Sequence, residues 1–302
     1  MATPEFPDKK PRQLSFDEVT SHLNEGRRIN AEFNIGQKEA TWAIHNEYPD
    51  LPAFILLMTD THYGSIHSDN DKIIKHLAIV ESTPNFYMVH NGDHTDNFLP
   101  DVFASGMTED PVSPQITARA WAQRMRQMDG KSKIGALGYG NHDSFGFDSS
   151  AQDFYDTYFS DMQCPIMTTG GLIHIMVGAQ RYDMAMMHRH WGSSRLNPTN
   201  VSKRILEHEY PTADIIFTGH THQSEGLHFE RAGIDRIACI GGTYKVDDPW
   251  AAAVGISHHA GSPGWVVALW PDCRKMQLFH DVAYARDTMM NCVDVLHPRR
   301  KR

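Results

Sequence analysis

Residues 54–62 have the sequence FILLMTDTH, in which five consecutive apolar side chains run directly into four polar ones. An uninterrupted apolar run of this length is typical of a strand that is covered on both faces of its sheet. After it, Ile73, Leu77 and Val80 have the spacing of one helix face, and Pro84 follows the predicted helix. A strand followed by a helix predicts a layered α/β core.

The same alternation continues along the chain. Short apolar runs and helical spacings predict strands at 86–89, 134–137 and 215–217, a hairpin of 172–177 with 182–187, and helices at 113–130 and 201–210. Further on, three segments predict consecutive strands, which we expect to form a second sheet stacked on the first: 226–240, 264–270 and 275–280.

The two ends of the chain differ in pattern from this core. We expect an N-terminal arm or appendage at 1–50, one main domain at 51–285 and a C-terminal tail at 286–302. Within the appendage, Ser15 caps a predicted helix that ends at Gly26. A helix-turn-helix could also be built from two short helices here, but no basic recognition face accompanies them.

Composition excludes several classes of protein. The chain has 302 residues, of which 40% are hydrophobic and 22% charged, so disorder, collagen-like repeats and coiled coil are poor fits. It contains no run of about 20 apolar residues and no apolar N-terminal stretch, which predicts a soluble, cytoplasmic protein without a membrane span. The four cysteines form no CxxC pair, so neither a disulfide framework nor a thiolate zinc site is indicated. The net charge of -9 opposes nonspecific binding to nucleic acid.

Polar residues of the metal-ligand type directly follow five of the predicted strands. The groups are, in chain order, Asp60-Thr-His62, Gly92-Asp93, the GNHD of residues 140–143, His188, and the GHTH of residues 219–222. Because carboxyl ends of strands meet at one edge of an open α/β sheet, we expect these groups to converge. Asp, Asn and His together are typical ligands of manganese, iron, zinc or nickel.

The order DTH, GD, GNHD, H and GHTH resembles the calcineurin-like metallophosphoesterase family over about residues 54–222, and within it the small single-domain proteins of phage and prokaryotic type. The resemblance implies an α/β fold of two stacked mixed β-sheets flanked by helices. It also implies two divalent metal ions, with manganese favoured. Their implied ligands are Asp60, His62 and His222 for one ion, Asn141, His188 and His220 for the other, and Asp93 as the bridge between them.

The resemblance also implies a reaction, in-line attack on phosphorus by a metal-activated hydroxide. His142 would then act as the general acid for the leaving oxygen, with Asp96 as its partner. Asn97 stands where phosphatase relatives carry Arg, so that contact to phosphate is in doubt. His94 is expected to support the ligands or to face solvent. His188, rather than His190, is the expected ligand because it is the first residue past its strand.

Three functions fit these features. The favoured function is a phosphodiesterase or nuclease-like hydrolase, although the net charge does not point to nucleic acid. The second is a phosphomonoesterase acting on a nucleotide, a protein or a small metabolite, and the third is a noncatalytic scaffold with the same fold. The intact ligand set argues against the scaffold. Segments 99–113 and 144–169 are candidate substrate-cap elements, and nothing in the sequence indicates an oligomeric state.

Overall fold

The computed structural model describes residues 15–33, 38–98, 111–150, 153–190, 192, 197–246 and 263–298. It divides into two compact units, Met1–Gly36 and Gln37–Arg302. The strands are β1 (Glu39–Ile44), β2 (Ala53–Met58), β3 (Phe86–Asn91), β4 (Ile134–Gly138), β5 (Ile166–Met167), β6 (Gly171–Val177), β7 (Gln180–Met187), β8 (Ile215–Thr218), β9 (Glu225–Arg231), β10 (Ile234–Ile240), β11 (Trp265–Leu269) and β12 (Met276–Phe279). The helices are α1 (Phe16–Phe33), α2 (Asn70–Ser82), α3 (Pro114–Asp129), α4 (Asn141–Ser150), α5 (Phe154–Tyr158), α6 (Thr199–His208) and α7 (Val282–Leu296).

The strands of the second unit form two mixed sheets of six strands each. Sheet A has the order β1-β6-β7-β8-β10-β9, and sheet B has the order β12-β11-β2-β3-β4-β5. In sheet B the neighbours β2, β3, β4 and β5 pair in parallel. In sheet A, β7, β8 and β10 pair in parallel. Each sheet therefore has several carboxyl strand ends at one edge.

The alternation of side chains along β2 explains how the layers stack. Ile55 and Leu57 belong to the apolar core between the two sheets. Phe54, Leu56 and Met58 point the opposite way and join the core under the helices of sheet B. A strand buried on both faces has an uninterrupted apolar sequence, as seen in 54–58.

Helix α6 covers the outer face of sheet A, where its Ile205 and Leu206 cluster with Ile216 of β8. The layers are thus helices, sheet B, sheet A and a helix. This arrangement of two stacked mixed sheets flanked by helices confirms the predicted fold class.

The assignment of the last strands to sheets differs from the prediction. Residues 226–240 form the hairpin β9–β10, which pairs through β10 with β8 in sheet A. In sheet B, β11 pairs with β2, and β12 pairs with β11. These strands therefore do not make up a separate second sheet. In β11, Val266 faces the helix side and Val267 faces the other sheet. Such a strand fits any covered sheet, so its sequence alone does not say which one it joins.

The folded unit also extends beyond residues 51–285. Residues 39–44, expected in the appendage, form the edge strand β1, which pairs in parallel with β6 and buries Ala40 and Ile44. Residues 286–296, expected in the tail, continue α7, in which Met289 and Val293 are buried in the core. In both segments only one face of the strand or helix is buried, so the apolar pattern in the sequence of each element is weak.

Helix α1 begins as predicted at Ser15. The Ser15 Oγ accepts from the N–H of Glu18, and the Glu18 carboxylate accepts from the N–H of Ser15, which is a reciprocal capping box. The helix continues past Gly26 to Phe33, because one glycine inside a helix costs only about 1 kcal/mol. The next described element is strand β1 rather than a second helix. Among the described residues, every helix is too short or too polar to cross a membrane.

Candidate metal centre

The predicted ligands lie just after β2, β3, β4, β7 and β8, with Asn141 as the first residue of α4, and contacts between these segments join the two sheets. From sheet A, the N–H of His220 donates to Oδ2 of Asp60 over 3.0 Å. In addition, Nδ1 of His188 lies 2.5 Å from the carbonyl oxygen of Asn91, at the end of β3. Residues from both sheets therefore share one site.

The first group of ligands contains Asp60, His62 and His222, whose ligand atoms all lie within 4.8 Å of one another. Nε2 of His62 lies 3.2 Å from Nε2 of His222, which in turn lies 3.4 Å from Oδ1 of Asp60. Asp60 and His62 are fully buried, whereas the His222 side chain is 20% exposed. In this arrangement two imidazole nitrogens face each other beside a carboxylate, and all three groups could bind the same cation.

The second group contains Asp93, His188 and His220, again with ligand atoms within 4.8 Å. Nε2 of His188 lies 3.2 Å from Oδ2 of Asp93. Asp93 also belongs to a third such group, with His62 and His142. Its carboxylate is thus close to His188 and His220 of one predicted ligand set and to His62 of the other.

Asn141 provides an independent test of whether a metal fits. Its Oδ1 atom is buried and has no hydrogen-bond partner among the described residues. Leaving a buried polar atom unsatisfied costs about 1–3 kcal/mol, and a bound cation would remove that cost. The amide oxygen, the imidazoles and the carboxylates together form a donor set that fits divalent metal ions.

The backbone of the site is strained. Five of the seven predicted ligands have the left-handed φ that non-glycine residues avoid: Asp60 (48°), His62 (44°), Asp93 (53°), His220 (72°) and His222 (58°). Each such conformation costs on the order of 1–3 kcal/mol and is concentrated at functional sites. Gly140 permits the close approach of two loops, because a Cβ there would lie 2.1 Å from Oδ1 of Asp93.

The buried carboxylates and imidazoles of the site shift one another's pKa values. Burial alone lowers the pKa of His188, but the carboxylates of Asp93 and Asp60 raise it to about 10. Burial raises the pKa of Asp60, but the imidazoles of His188 and His222 lower it to about 2. A metal ion would compete with protons for these imidazoles, so binding of the ion would release protons.

Both the backbone and the ring of His142 are held by neighbouring residues. Its N–H donates to Oδ1 of Asp93 over 2.9 Å, and its ring packs against Phe98 and Phe145 at centroid distances of 5.3 and 4.8 Å. Its Nδ1 lies 2.7 Å from the carbonyl oxygen of Asp96. Because a carbonyl only accepts, Nδ1 carries a proton and Nε2 is the nitrogen that can exchange one.

The partner of the Asp96 carboxylate differs from the expectation. The backbone carbonyl of Asp96 contacts Nδ1 of His142, whereas Oδ1 of Asp96 lies 2.7 Å from Nδ1 of His62 and 3.0 Å from Nζ of Lys245. Asn97, where the family resemblance led us to expect Arg, donates from Nδ2 to the carbonyl oxygen of His142 over 2.9 Å. Asn97 therefore holds the backbone of His142 in place.

Two other histidines of the motifs have distinct surroundings. His188 lies in the second ligand group. His190 instead contacts Glu209, just after α6, with its Nε2 2.6 Å from Oε1 of that residue. His94 is buried rather than exposed. Trp121 Nε1 donates to its Nδ1 over 2.8 Å, so its Nε2 donates to the Tyr155 hydroxyl.

Two residues at the site were not predicted. Asp143 is buried and accepts from the backbone N–H groups of Gly140, Asp93 and His94 at 2.8, 3.0 and 3.2 Å. Burial and the Asp93 charge raise the pKa of Asp143 to about 7. The place of Asp143 in the GNHD motif could have indicated that it belongs to the site. The second unpredicted residue is Lys245, which belongs to none of the motifs.

The two candidate cap segments are described only in part. Residues 99–110 of the first and residues 151–152 of the second lie outside the described residues. In the second segment, α4, α5 and β5 are defined, and Phe154 and Tyr155 of α5 are buried. This part of the second segment therefore packs into the core.

Comparison with known proteins agrees with the order of the motifs. A family model described as calcineurin-like phosphoesterase matches residues 55–224, more than half of the chain. No curated protein matches the chain. Similar solved structures include a predicted phosphoesterase of Streptococcus pneumoniae (15% identity, 76% of this chain and 98% of that chain, TM-score 0.33). Others are the nuclease MPE of Pseudomonas putida (13%, 74% and 87%, 0.31) and a metallophosphoesterase of Sphaerobacter thermophilus (12%, 79% and 94%, 0.32).

Proposed function

Because this chain belongs to the calcineurin-like phosphoesterase family, we propose that it is a phosphodiesterase that depends on two divalent metal ions. The observation that carries the proposal is the position of Asp93, whose carboxylate is shared between ligand groups from both sheets. A carboxylate has two oxygens and can join two cations about 3.5–4 Å apart. The intact donor set supports an enzyme rather than a noncatalytic scaffold.

The ligands of the first ion would be Asp60, His62 and His222, and those of the second would be Asn141, His188 and His220. Manganese is the proposed metal, and iron, zinc and nickel would accept the same donors. When bound, the two ions would generate a hydroxide nucleophile from water and neutralise charge on the phosphoryl oxygens.

The chain itself supplies the leaving-group proton. His142 would carry a proton on Nε2 and donate it to the departing oxygen. The Asp96 carbonyl keeps the other nitrogen protonated, and Phe98 and Phe145 restrict rotation of the ring. Asp93 orients the same residue through the His142 backbone N–H.

The preference for a diester is based on Asn97. A dianionic monoester gains more than a monoanionic diester from an arginine beside the phosphoryl group. Here the amide of Asn97 is engaged with the His142 carbonyl and offers no positive charge. We therefore expect a substrate with a single negative charge on the scissile phosphate.

The test is a comparison of model substrates. The protein is treated with chelator, dialysed, reloaded with Mn²⁺, Fe²⁺, Zn²⁺ or Ni²⁺, and assayed with bis(p-nitrophenyl) phosphate, p-nitrophenyl phosphate and DNA. We expect metal-dependent hydrolysis with the bis-ester faster than the monoester. Faster hydrolysis of the monoester would support a phosphomonoesterase, and no hydrolysis of any phosphate ester with two ions bound would support a scaffold.

A further inference from the structure

Lys245 is a buried lysine that no sequence motif singles out. Its side chain is 4% exposed, and its Nζ lies 3.0 Å from Oδ1 of the fully buried Asp96. Removing two charges from water is costly and is repaid only by good geometry and further hydrogen bonds. The ion pair of Lys245 and Asp96 is therefore weak evidence of a role in stability. The other contacts of the two residues indicate its role.

The same oxygen of Asp96 lies 2.7 Å from Nδ1 of His62. A negatively charged carboxylate at this distance favours the tautomer in which Nδ1 of His62 carries the proton and Nε2 keeps its lone pair. That Nε2 is the atom 3.2 Å from Nε2 of His222, on the side of the first ligand group. A carboxylate behind an imidazole ligand fixes both the orientation and the tautomer of the ring.

The backbone around Lys245 is tied to the loop that carries the first ligands. The N–H of Tyr244 and the hydroxyl of Thr243 both donate to the carbonyl oxygen of Asp60, each over 3.1 Å. The backbone of Lys245 pairs with that of Ser68 in an isolated antiparallel β-bridge. The Ser68 hydroxyl in turn donates to the carbonyl oxygen of His62 over 2.9 Å. The segment after β10 therefore contacts the backbone of Asp60 directly and that of His62 through Ser68.

We propose that Lys245 is a positioning residue for the first metal ion. Its ammonium group balances the charge of Asp96 and holds the carboxylate against His62, so that Nε2 of His62 faces the ion. Without the ammonium group, Asp96 would be a buried carboxylate with reduced compensation, and it could turn away from the imidazole. The proposal rests on the proposed function, since it assigns a support to one of the two proposed metal sites.

The experiment compares Lys245→Met with Lys133→Met as the matched control. Lys133 is half-buried, and its Nζ donates to the carbonyl oxygens of Thr83 and Phe86, before and at the start of β3 and away from the ligands. Mn²⁺ binding to chelator-treated protein is measured by calorimetry, and the spin coupling of the bound ions is measured by electron paramagnetic resonance. Circular dichroism checks folding, and Lys245→Gln replaces Lys245→Met if the latter does not fold.

We expect Lys245→Met to bind one Mn²⁺ with the affinity of the wild type and the other about tenfold or more weakly, with loss of the coupled signal. Lys133→Met should bind two ions, and Lys245→Arg should recover part of the lost affinity. A Lys245→Met protein with two ions at wild-type affinity would overturn the role of Lys245, and so would an equal loss of both ions. A wild-type protein that binds no Mn²⁺ would instead overturn the proposed dinuclear function itself.

Discussion

Asp96 contacts two imidazoles through different atoms. Its backbone carbonyl oxygen lies 2.7 Å from Nδ1 of His142, and its carboxylate lies 2.7 Å from Nδ1 of His62. A side-chain substitution at Asp96 thus removes the contact with His62 and retains the contact with His142. Metal binding and leaving-group protonation can therefore be separated by mutation.

Asp96→Asn should weaken binding of the first metal ion by about 10- to 100-fold, the usual effect of losing the carboxylate behind an imidazole ligand. The dependence of the rate on the leaving group should stay as in the wild type, because the His142 contact is to the backbone. Mn²⁺ titration and rates for diesters of several phenols measure the two effects. Normal metal binding together with an altered leaving-group dependence would show that Asp96 acts on His142 after all.

His142→Ala should keep both ions and lose turnover by about a hundredfold or more on diesters with poor leaving groups, because a general acid is removed. The loss should be much smaller for a p-nitrophenyl leaving group, which needs little protonation. Elemental analysis and steady-state rates test this. An equal loss for both kinds of leaving group would exclude the acid role.

His188→Ala should weaken metal binding, because Nε2 of His188 lies 3.2 Å from the Asp93 carboxylate in the second ligand group. His190→Ala is the matched comparison, since this residue contacts Glu209 and should affect the Michaelis constant more than metal content. Metal titration of both variants distinguishes the two histidines. Full occupancy in His188→Ala with loss in His190→Ala would reverse the assignment.

His174 predicts a pH dependence of stability away from the metal centre. Its Nδ1 lies 2.8 Å from Asp183 and its Nε2 lies 2.5 Å from Glu39 of β1, while Arg181 also contacts Nδ1. Although burial lowers it, hydrogen bonds to Asp183 and Glu39 raise the pKa of His174. The stabilisation is therefore fully present below the ordinary histidine pKa and is lost as pH rises through the raised value.

His174→Gln should accordingly lower the free energy of unfolding by about 1 kcal/mol at about pH 5.5 and by less at about pH 9. Urea unfolding at both pH values measures this. His228→Gln is the control, because its pair with Asp235 is more exposed and should contribute little at either pH. The same loss at both pH values would contradict a role for the charged imidazole.

The sequence predicted the fold class, but it did not predict which sheet each of the last strands joins. The apolar run 54–58 and the ligand pairs at its end are local patterns, and the structure brings the predicted ligands together at strand ends. The sheet membership of 226–240 and 264–280 depends on which covered sheet edge is available, and a local pattern does not contain that information. The start of α1 was predicted from its cap, but its end was not, because a single glycine is tolerated inside a helix.

The contacts of Asp96 and Lys245 could not be predicted for a different reason. The two residues are far apart in the chain and meet because the loop after β3 of sheet B and the segment after β10 of sheet A lie against each other. Which imidazole the Asp96 carboxylate approaches depends on side-chain rotamers, and the order of the motifs does not determine rotamers.

The most direct test of the dinuclear site is the number of metal ions bound per chain in the wild type and in Asp93→Ala, measured by elemental analysis after loading with Mn²⁺ and removal of excess metal. The wild type should bind two ions and hydrolyse bis(p-nitrophenyl) phosphate. Asp93→Ala should lose metal from both positions together with activity, because the Asp93 carboxylate lies in one group with His188 and His220 and in another with His62, a proposed ligand of the first ion. An Asp93→Ala protein that retains two ions and normal turnover would contradict the account.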